Sequence, residues 1–464
     1  MTDARGRASD DRVYDVVGIG IGPFNLGLAA MLDNVTEDVD AAFLERDAAF
    51  QWHEGMLLDG ATLEVPFLAD LVTLADPTSE YSYLNYLRET DRLYEFYFYE
   101  TFQVPRREYN AYLRWVVDRL NTPQFSREVT TVCWDDDANH YVVTAHHTDT
   151  GAQFDYRTEH VALGIGSRPQ IPKALQGHPE DDVFHTARYR YNRERVLDAD
   201  SVTVVGSGQS AAEVFQDLLS RQTDHDYRLD WLTRSDGFFP MEYSKLGLQH
   251  FTPEYERYVY GLPQAVKDDL IPNQELLYKG IDPGTSAEIY DLLYRRSIGD
   301  ADPDVGLFAM TEVRDIVALN DAYALDCHQW QSEESFVHES EVVILGTGYE
   351  RPIPGFLDPL EDAINWDQKD RFEVTADHRL DLDLSGDIFL QNAELHTHGV
   401  GVPDLGLGCY RNSKFVNRIV GRTAYPEDRD TVFQDFSVDQ FVKHAPNTSH
   451  DTGGEPTSTP TQDD

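Results

Sequence analysis

Apolar runs of strand length alternate along this chain with stretches of helical spacing, the pattern of an α/β fold. Residues 14–18 form one such run, followed by a glycine cluster and a helical stretch over 26–32, and a further run covers 41–44. A second strand–glycine–helix unit starts at Ser201. Two other runs end in glycine: Val161-Ala162-Leu163-Gly164-Ile165-Gly166 and Val342-Val343-Ile344-Leu345-Gly346-Thr347-Gly348-Tyr349. They read as points where the chain leaves a sheet, so the second unit is predicted to be inserted into the first. The expected layout is a flexible N-terminus (1–12), one domain from 13–190 and 330–425, and a second over 191–329 whose segment 239–290 reaches the substrate. An acidic, largely disordered tail is expected over 426–464, because its last residues are Pro, Thr, Ser, Gly, Asp and the like, with too little apolar surface to order themselves.

At 464 residues with 41% hydrophobic positions, the chain has room for two or three domains with sizeable cores. Acidic residues number 83 against 38 basic, a formal charge of −45, which repels phosphate backbones and anionic lipid. Nucleic acid and membranes are therefore excluded as expected partners. The acids are spread along the chain, as in a protein of a salt-loving cytoplasm. Residues 1–12 carry no apolar signal core, and no apolar run approaches the ~18–20 residues of a membrane span. A soluble, cytoplasmic protein is expected. Cys133, Cys327 and Cys409 lie far apart, so no local zinc ribbon or dithiol centre is encoded.

The first motif is Gly18-Ile19-Gly20-Ile21-Gly22-Pro23-Phe24-Asn25. Glycines there permit a tight turn and let backbone N–H groups approach a pyrophosphate at a helix N-terminus. Asn25 stands where a third glycine is usual. Glu45 closes the next strand, the place of an acid that binds a ribose hydroxyl. The second motif, Gly206-Ser207-Gly208-Gln209-Ser210-Ala211, has alanine for the third glycine, and Arg234 follows the next apolar stretch, where a cation suits the 2′-phosphate of NADPH. The fold class is therefore α/β, with two Rossmann-like dinucleotide-binding domains, and the natural cofactor pair is FAD and NADPH.

Three polar, aromatic stretches remain that periodicity does not explain: 50–56 with Gln51, Trp52 and His53; 63–86 with Glu64, Pro66, Ala69 and Asp70; and 391–412 with Asn392, His396, His398 and Asp404. His396 and His398 read as alternating strand positions, which makes no metal pair.

With these stretches the sequence resembles the N-hydroxylating flavin monooxygenases of siderophore biosynthesis, the lysine, ornithine and diamine N-monooxygenases, from about residue 14 to 422. The resemblance implies an FAD domain split in sequence with an NADPH domain inserted, NADPH reduction of FAD, reaction with O2, and oxygen transfer to a primary amine. It implies that Trp52, His53 and Pro66 lie along the flavin, that Tyr349 and His398 are near a cofactor, and that the protein forms a homo-oligomer. The stretch 412–421 is a candidate either for a helix–helix interface or for core packing.

Amino-acid hydroxylases of the family commonly carry a lysine in a Phe-Leu-Lys-Asp segment to grip the substrate carboxylate. Here the segment is Phe67-Leu68-Ala69-Asp70, and the position often held by Gln is Glu64. A methyl group cannot bind a carboxylate, whereas a carboxylate attracts a second ammonium. Both departures favour a diamine such as diaminopropane, putrescine or cadaverine. Lysine N6-hydroxylation is the alternative, with Lys279 or Arg411 as the anchoring cation, and ornithine stands behind it. A flavin NADPH oxidase and a non-catalytic nucleotide-binding regulator are the competing classes.

Overall fold

The computed structural model describes residues 8–36, 38–299, 303–427 and 432–438. Two sheets organise it. The first has seven strands, in the order Pro123–Gln124, Ala41–Leu44, Ala8–Ile19, Gln153–Leu163, His140–His147, Arg127–Asp135, with Ile388–Leu390 joined to the end of Gln153–Leu163. Val16, Val17, Val161 and Ala162 are fully buried, as expected of parallel strands covered on both faces. One face carries the helices Pro23–Asp33 and Gly408–Ile419. Asn412 donates to the Phe24 carbonyl at 2.9 Å, and Gly27 lets the two helices approach, since a Cβ there would lie 3.0 Å from Asn412 Nδ2. The stretch 412–421 thus begins as core packing, buried through Val416.

The second sheet has five parallel strands, in the order Val183–His185, Val342–Leu345, Ser201–Val205, Arg228–Leu232, Val305–Phe308. It therefore extends beyond the 191–329 boundaries at both ends. Val342–Leu345 leaves this sheet rather than the first, because its four buried apolar residues pair with both Ser201–Val205 and Val183–His185. An antiparallel sheet, Thr311–Ala318, Tyr323–Gln329 and Glu334–Ser340, packs beside it. The chain passes between the two domains twice, and the passages pair with each other: Pro169 with Tyr349 and Arg168 with Glu350. The first strand begins at Ala8, inside the stretch expected to be a flexible N-terminus, with Ala8 paired to Phe154. Residues 432–438 of the expected disordered tail are described and lie against the rest of the molecule; 439–464 fall outside the described residues.

Candidate active site

Both glycine motifs form open cradles at the carboxyl ends of their sheets. Gly22 N-caps helix Pro23–Asp33 and Gly208 N-caps Gln209–Arg221, each without a side-chain cap, so orphan N–H groups face outward. A Cβ on Gly22 would meet nothing within 4 Å, and one on Gly208 only the Lys279 carbonyl at 3.8 Å. Gly18, Gly20 and Gly206 are needed for a different reason: a Cβ there would lie 2.1 Å from the Phe43 ring, 2.5 Å from the Gly164 carbonyl and 2.2 Å from the Gly346 carbonyl. The space at Gly22 and Gly208 fits a pyrophosphate in each cradle.

The third motif positions do not face these openings. Asn25 is fully buried, and its Nδ2 donates to the carbonyls of Gly20 (2.9 Å) and Ala162 (3.1 Å). It is a clamp between loop and sheet rather than a group exposed to a cofactor. Ala211 is equally buried, packed on Gly346 as Asn25 is on Gly164. Pro23 opens its helix at N1. Glu45 accepts from the Ile21 N–H at 2.9 Å, which ties this carboxylate to the first cradle. Arg234 is exposed beside the second cradle, whose Ser207 meets Ser235 at 2.8 Å.

The cleft is the junction of the two domains, where Gln209 of the second cradle's helix reaches Glu64 and Glu213 of the same helix reaches Arg106. The Trp52 amide donates to Asn110 Oδ1 at 3.0 Å, and exposed Gln51 accepts from the same asparagine. His53 adopts a left-handed conformation (φ 51°) at the solvent-accessible lip; the protein crowded round it and then the Arg106 charge hold its imidazole below its ordinary value. Tyr349 packs edge-on to His185 at 4.9 Å; burial raises its phenol against the opposing pull of Thr186, Arg106 and Ser210. His398 is not on the cleft surface. Residues Leu395–His398 form a helical turn, not a strand, which sends His396 Nε2 to the Phe372 carbonyl and turns His398 inward. There, 1% exposed, it stacks on His378 at 4.0 Å.

The floor of the cleft is acidic. Burial, then the neighbouring Asp282 and Glu213 carboxylates, push Glu64 up to about 9 despite Arg106. Gln209 Nε2 donates to Glu64 Oε1 at 3.1 Å, while no donor among the described residues reaches buried Oε2, and the protonated Glu64 carboxyl shares a hydrogen bond with Asp282. Tyr243 donates to the Glu64 carbonyl at 3.1 Å, and its phenol is raised by burial and by Glu64, Asp282 and Asp404, which brings all three carboxylates to one neighbourhood. Burial pushes Asp404 up to about 6; its Oδ1 accepts from Gly406 N–H at 2.7 Å. Ala69 is 6% exposed and packs beside Gly406. Lys279 is exposed and bound to Glu275 at 2.6 Å, and Arg411 is buried against Glu394 at 2.7 Å. Neither cation that could have held a substrate carboxylate is uncommitted.

Sequence reasoning did not single out Arg106, Gln209, Glu213 or Tyr243. They sit on ordinary helix and loop patterns and acquire significance only by crossing between domains. The three cysteines are free thiols, and burial pushes Cys327 up to about 12.

Two dinucleotide cradles in one chain define an α/β flavin- and pyridine-nucleotide-type oxidoreductase. The chain belongs to the L-lysine 6-monooxygenase/L-ornithine 5-monooxygenase family, whose model matches residues 12–351. It is 40% identical to the rhizobactin siderophore biosynthesis protein RhbE of Rhizobium meliloti, over 92% of this chain and 95% of that one. It is 39% identical to putrescine N-hydroxylase of Shewanella oneidensis, over 92% of this chain and 85% of the relative. Among solved structures it resembles FAD-bound DfoA, the desferrioxamine-pathway cadaverine monooxygenase of Erwinia amylovora, at 41% identity and TM-score 0.88, covering 92% of this chain and 99% of that one. The chain is an N-monooxygenase, and its two Rossmann-like domains are those of FAD and NADPH, the second inserted in the first.

Proposed function

We propose that this enzyme hydroxylates one primary amine of a small diamine (diaminopropane, putrescine or cadaverine) in hydroxamate siderophore biosynthesis, using FAD, NADPH and O2. The overall reaction is R–NH2 + O2 + NADPH + H+ → R–NHOH + NADP+ + H2O. Bound FAD supplies acceptance of hydride from NADPH and activation of O2. The protein supplies binding, orientation and dryness. The uncapped helix N-termini at Gly22 and Gly208 would hold the two pyrophosphates, Glu45 would hold the FAD ribose, and Arg234 with Ser210 would serve the NADPH side, where Ala211 packs the loop from behind. Trp52, His53 and Tyr349 would line the sites of the flavin and nicotinamide rings. The reacting amine must be neutral to act as a nucleophile, although a free alkylammonium has a pKa near ~10.4; a dry pocket lowers that value. The distal ammonium stays charged and is held by carboxylate.

One observation carries the choice of diamine, a lining rich in carboxyl groups and poor in free cations: Ala69 offers none, Lys279 and Arg411 are already paired, and buried Glu64 adjoins the Asp282 carboxyl with no donor on its Oε2 among the described residues. Such a floor repels the carboxylate of lysine or ornithine and attracts a second ammonium. The reading extends to a homo-oligomeric enzyme of the cytoplasm, checked by light scattering and cell fractionation. The test of the reaction is a panel of diaminopropane, putrescine, cadaverine, lysine and ornithine, assayed for NADPH loss and hydroxylamine gain. Diamines should lead; lysine ahead of every diamine by about tenfold in kcat/KM would overturn the assignment.

A further inference from the structure

The wall of the cleft over 239–252 has little regular structure beyond the short turn Gly247–His250, and Leu246 is 66% exposed. A wall of this kind opens at low free-energy cost unless something fastens it. On its inner side it is anchored. Thr252 caps helix Pro253–Tyr260, Glu256 of that helix lies 2.9 Å from buried His378 of the FAD domain, and Val259 packs so closely on Gly399 that a Cβ there would come within 3.1 Å.

On its outer side the fastening comes from residues 432–438. Gln249 Oε1 accepts from the backbone N–H groups of Phe433 (3.2 Å) and Gln434 (2.9 Å). Gln434 Nε2 donates to the Leu246 carbonyl at 2.6 Å. The Phe436 ring lies 4.8 Å from Tyr255, 5.5 Å from His250 and 6.2 Å from Tyr258, and it joins the small apolar cluster of Tyr255, Val259 and Val400. Phe433, by contrast, is 99% exposed. The attachment is therefore selective: one aromatic side chain enters, its neighbour three residues earlier does not, and the half-buried Gln249 amide holds the backbone N–H groups of Phe433 and Gln434.

We propose that residues 432–438 are a strap over the substrate side, with Gln434 and Phe436 as positioning residues that hold the 246–258 wall against the 399–407 loop and so keep water from the cleft during oxygen transfer. The proposal rests on the N-hydroxylation reading. Its chemical consequence is coupling. A wet site still consumes NADPH and O2, but the two electrons and two protons leave as hydrogen peroxide instead of giving hydroxylamine and water.

Four proteins test this: Phe436→Ala, Phe436→Leu, a chain ending at Glu427, and a chain ending at Val438. In Phe436→Ala and the Glu427 chain, NADPH oxidation and FAD content should stay near those of the full chain, while hydroxylamine per NADPH falls by about threefold or more and peroxide rises to match. Phe436→Leu should recover much of the yield, and the Val438 chain should behave as the full chain. Unchanged yield per NADPH in the Glu427 chain overturns the proposal, as does a fall of NADPH oxidation in proportion to hydroxylamine. Amide hydrogen exchange over 246–258 needs no substrate and should quicken in the same two variants; unchanged exchange sinks the strap by itself. Absence of hydroxylamine from the full chain with any amine would instead sink the N-hydroxylation reading and leave the exchange experiment to decide the strap.

Discussion

Arg106 and Glu213 meet across the two domains in a two-pronged ion pair, Nη1 to Oε2 at 2.8 Å and Nη2 to Oε1 at 2.6 Å. Arg106 opens the helix Arg106–Val117 on the FAD side and also donates to the carbonyls of Met56 and Thr62; Glu213 lies on the helix that the second glycine cradle caps. Both side chains are nearly buried, so each holds the other's charge out of water. Removing one charge strands its partner. Glu213→Gln is expected to cost about 3 kcal/mol of stability, since broken buried pairs cost roughly 3–5. Chemical denaturation measures that cost, and the KM for NADPH should rise with it because the pair fixes the second cradle relative to the first.

Glu64 yields a proton-counting prediction. With its carboxyl pushed up to about 9, it is protonated in the empty enzyme at pH 8. An ammonium arriving between Glu64 and Asp282 replaces the proton that the two carboxyls share, favours the ionised form and expels that proton. The reacting amine must lose one as well. Calorimetry of putrescine or cadaverine binding in buffers of different ionisation enthalpy should therefore show about one proton fewer released by Glu64→Gln than by the native enzyme. Equal release would place the ammonium elsewhere. The same raised pKa makes the ionised state costly in the empty protein. That cost is absent below 4.5 and grows as pH rises towards 9, so Glu64→Gln should flatten the alkaline loss of stability.

Ala69→Lys should restore a cation beside the cleft. The kcat/KM ratio of lysine to cadaverine is expected to rise by about tenfold, ~1.4 kcal/mol of transition-state discrimination. No change in that ratio would mean that Ala69 only packs against Gly406.

The acid limb of stability should involve Glu394. Burial opposes its ionisation, but Arg411 and His378 outweigh burial and hold it at about 2. A depressed carboxyl contributes stability that is present above its unfolded value and is lost as pH falls from 4.5 towards about 2. Glu394→Gln should lower stability at neutral pH and shrink the acid-induced loss across that window, as read by thermal melts.

A charge of −45 carries self-repulsion that salt relieves, the Debye length shrinking to ~3 Å at 1 M. The melting temperature should therefore climb with KCl into the molar range. A protein most stable without salt would refute the salt-loving reading of its composition.

The fold was legible because both motifs announce themselves locally. Glycines at 18, 20, 22, 206 and 208 fall in a strand–turn–helix spacing recognisable from a few residues of chain, although the close approaches that Gly18, Gly20 and Gly206 permit are to remote Phe43, Gly164 and Gly346; Glu45 sits where a following strand must end. Local reading failed where a residue's partner is remote. Asn25 looks like a glycine substitute beside a phosphate, yet it ties the local Gly20 carbonyl to Ala162 and Gly164, far away in sequence. His396 and His398 read as strand positions with His398 near a cofactor, whereas 395–398 is a helical turn that buries His398 on His378. Val342–Leu345 carries no mark of which sheet it joins, since four consecutive apolar residues suit either. The acidic floor was half visible in Glu64, but Asp282 reached it only through the long segment returning from the other domain.

The two passages between domains run side by side, Arg168–Pro169 against Tyr349–Glu350, with Arg168 bound to Glu350 at 2.7 Å. Entry and exit of the intervening 179 positions, 170–348, therefore share one doorway. Such a unit can be lifted out or exchanged for a homologous module by rejoining neighbouring ends, without rethreading the host. Chimaeras cut at these two strands offer a route to trading pyridine-nucleotide preference between relatives while leaving the flavin host whole.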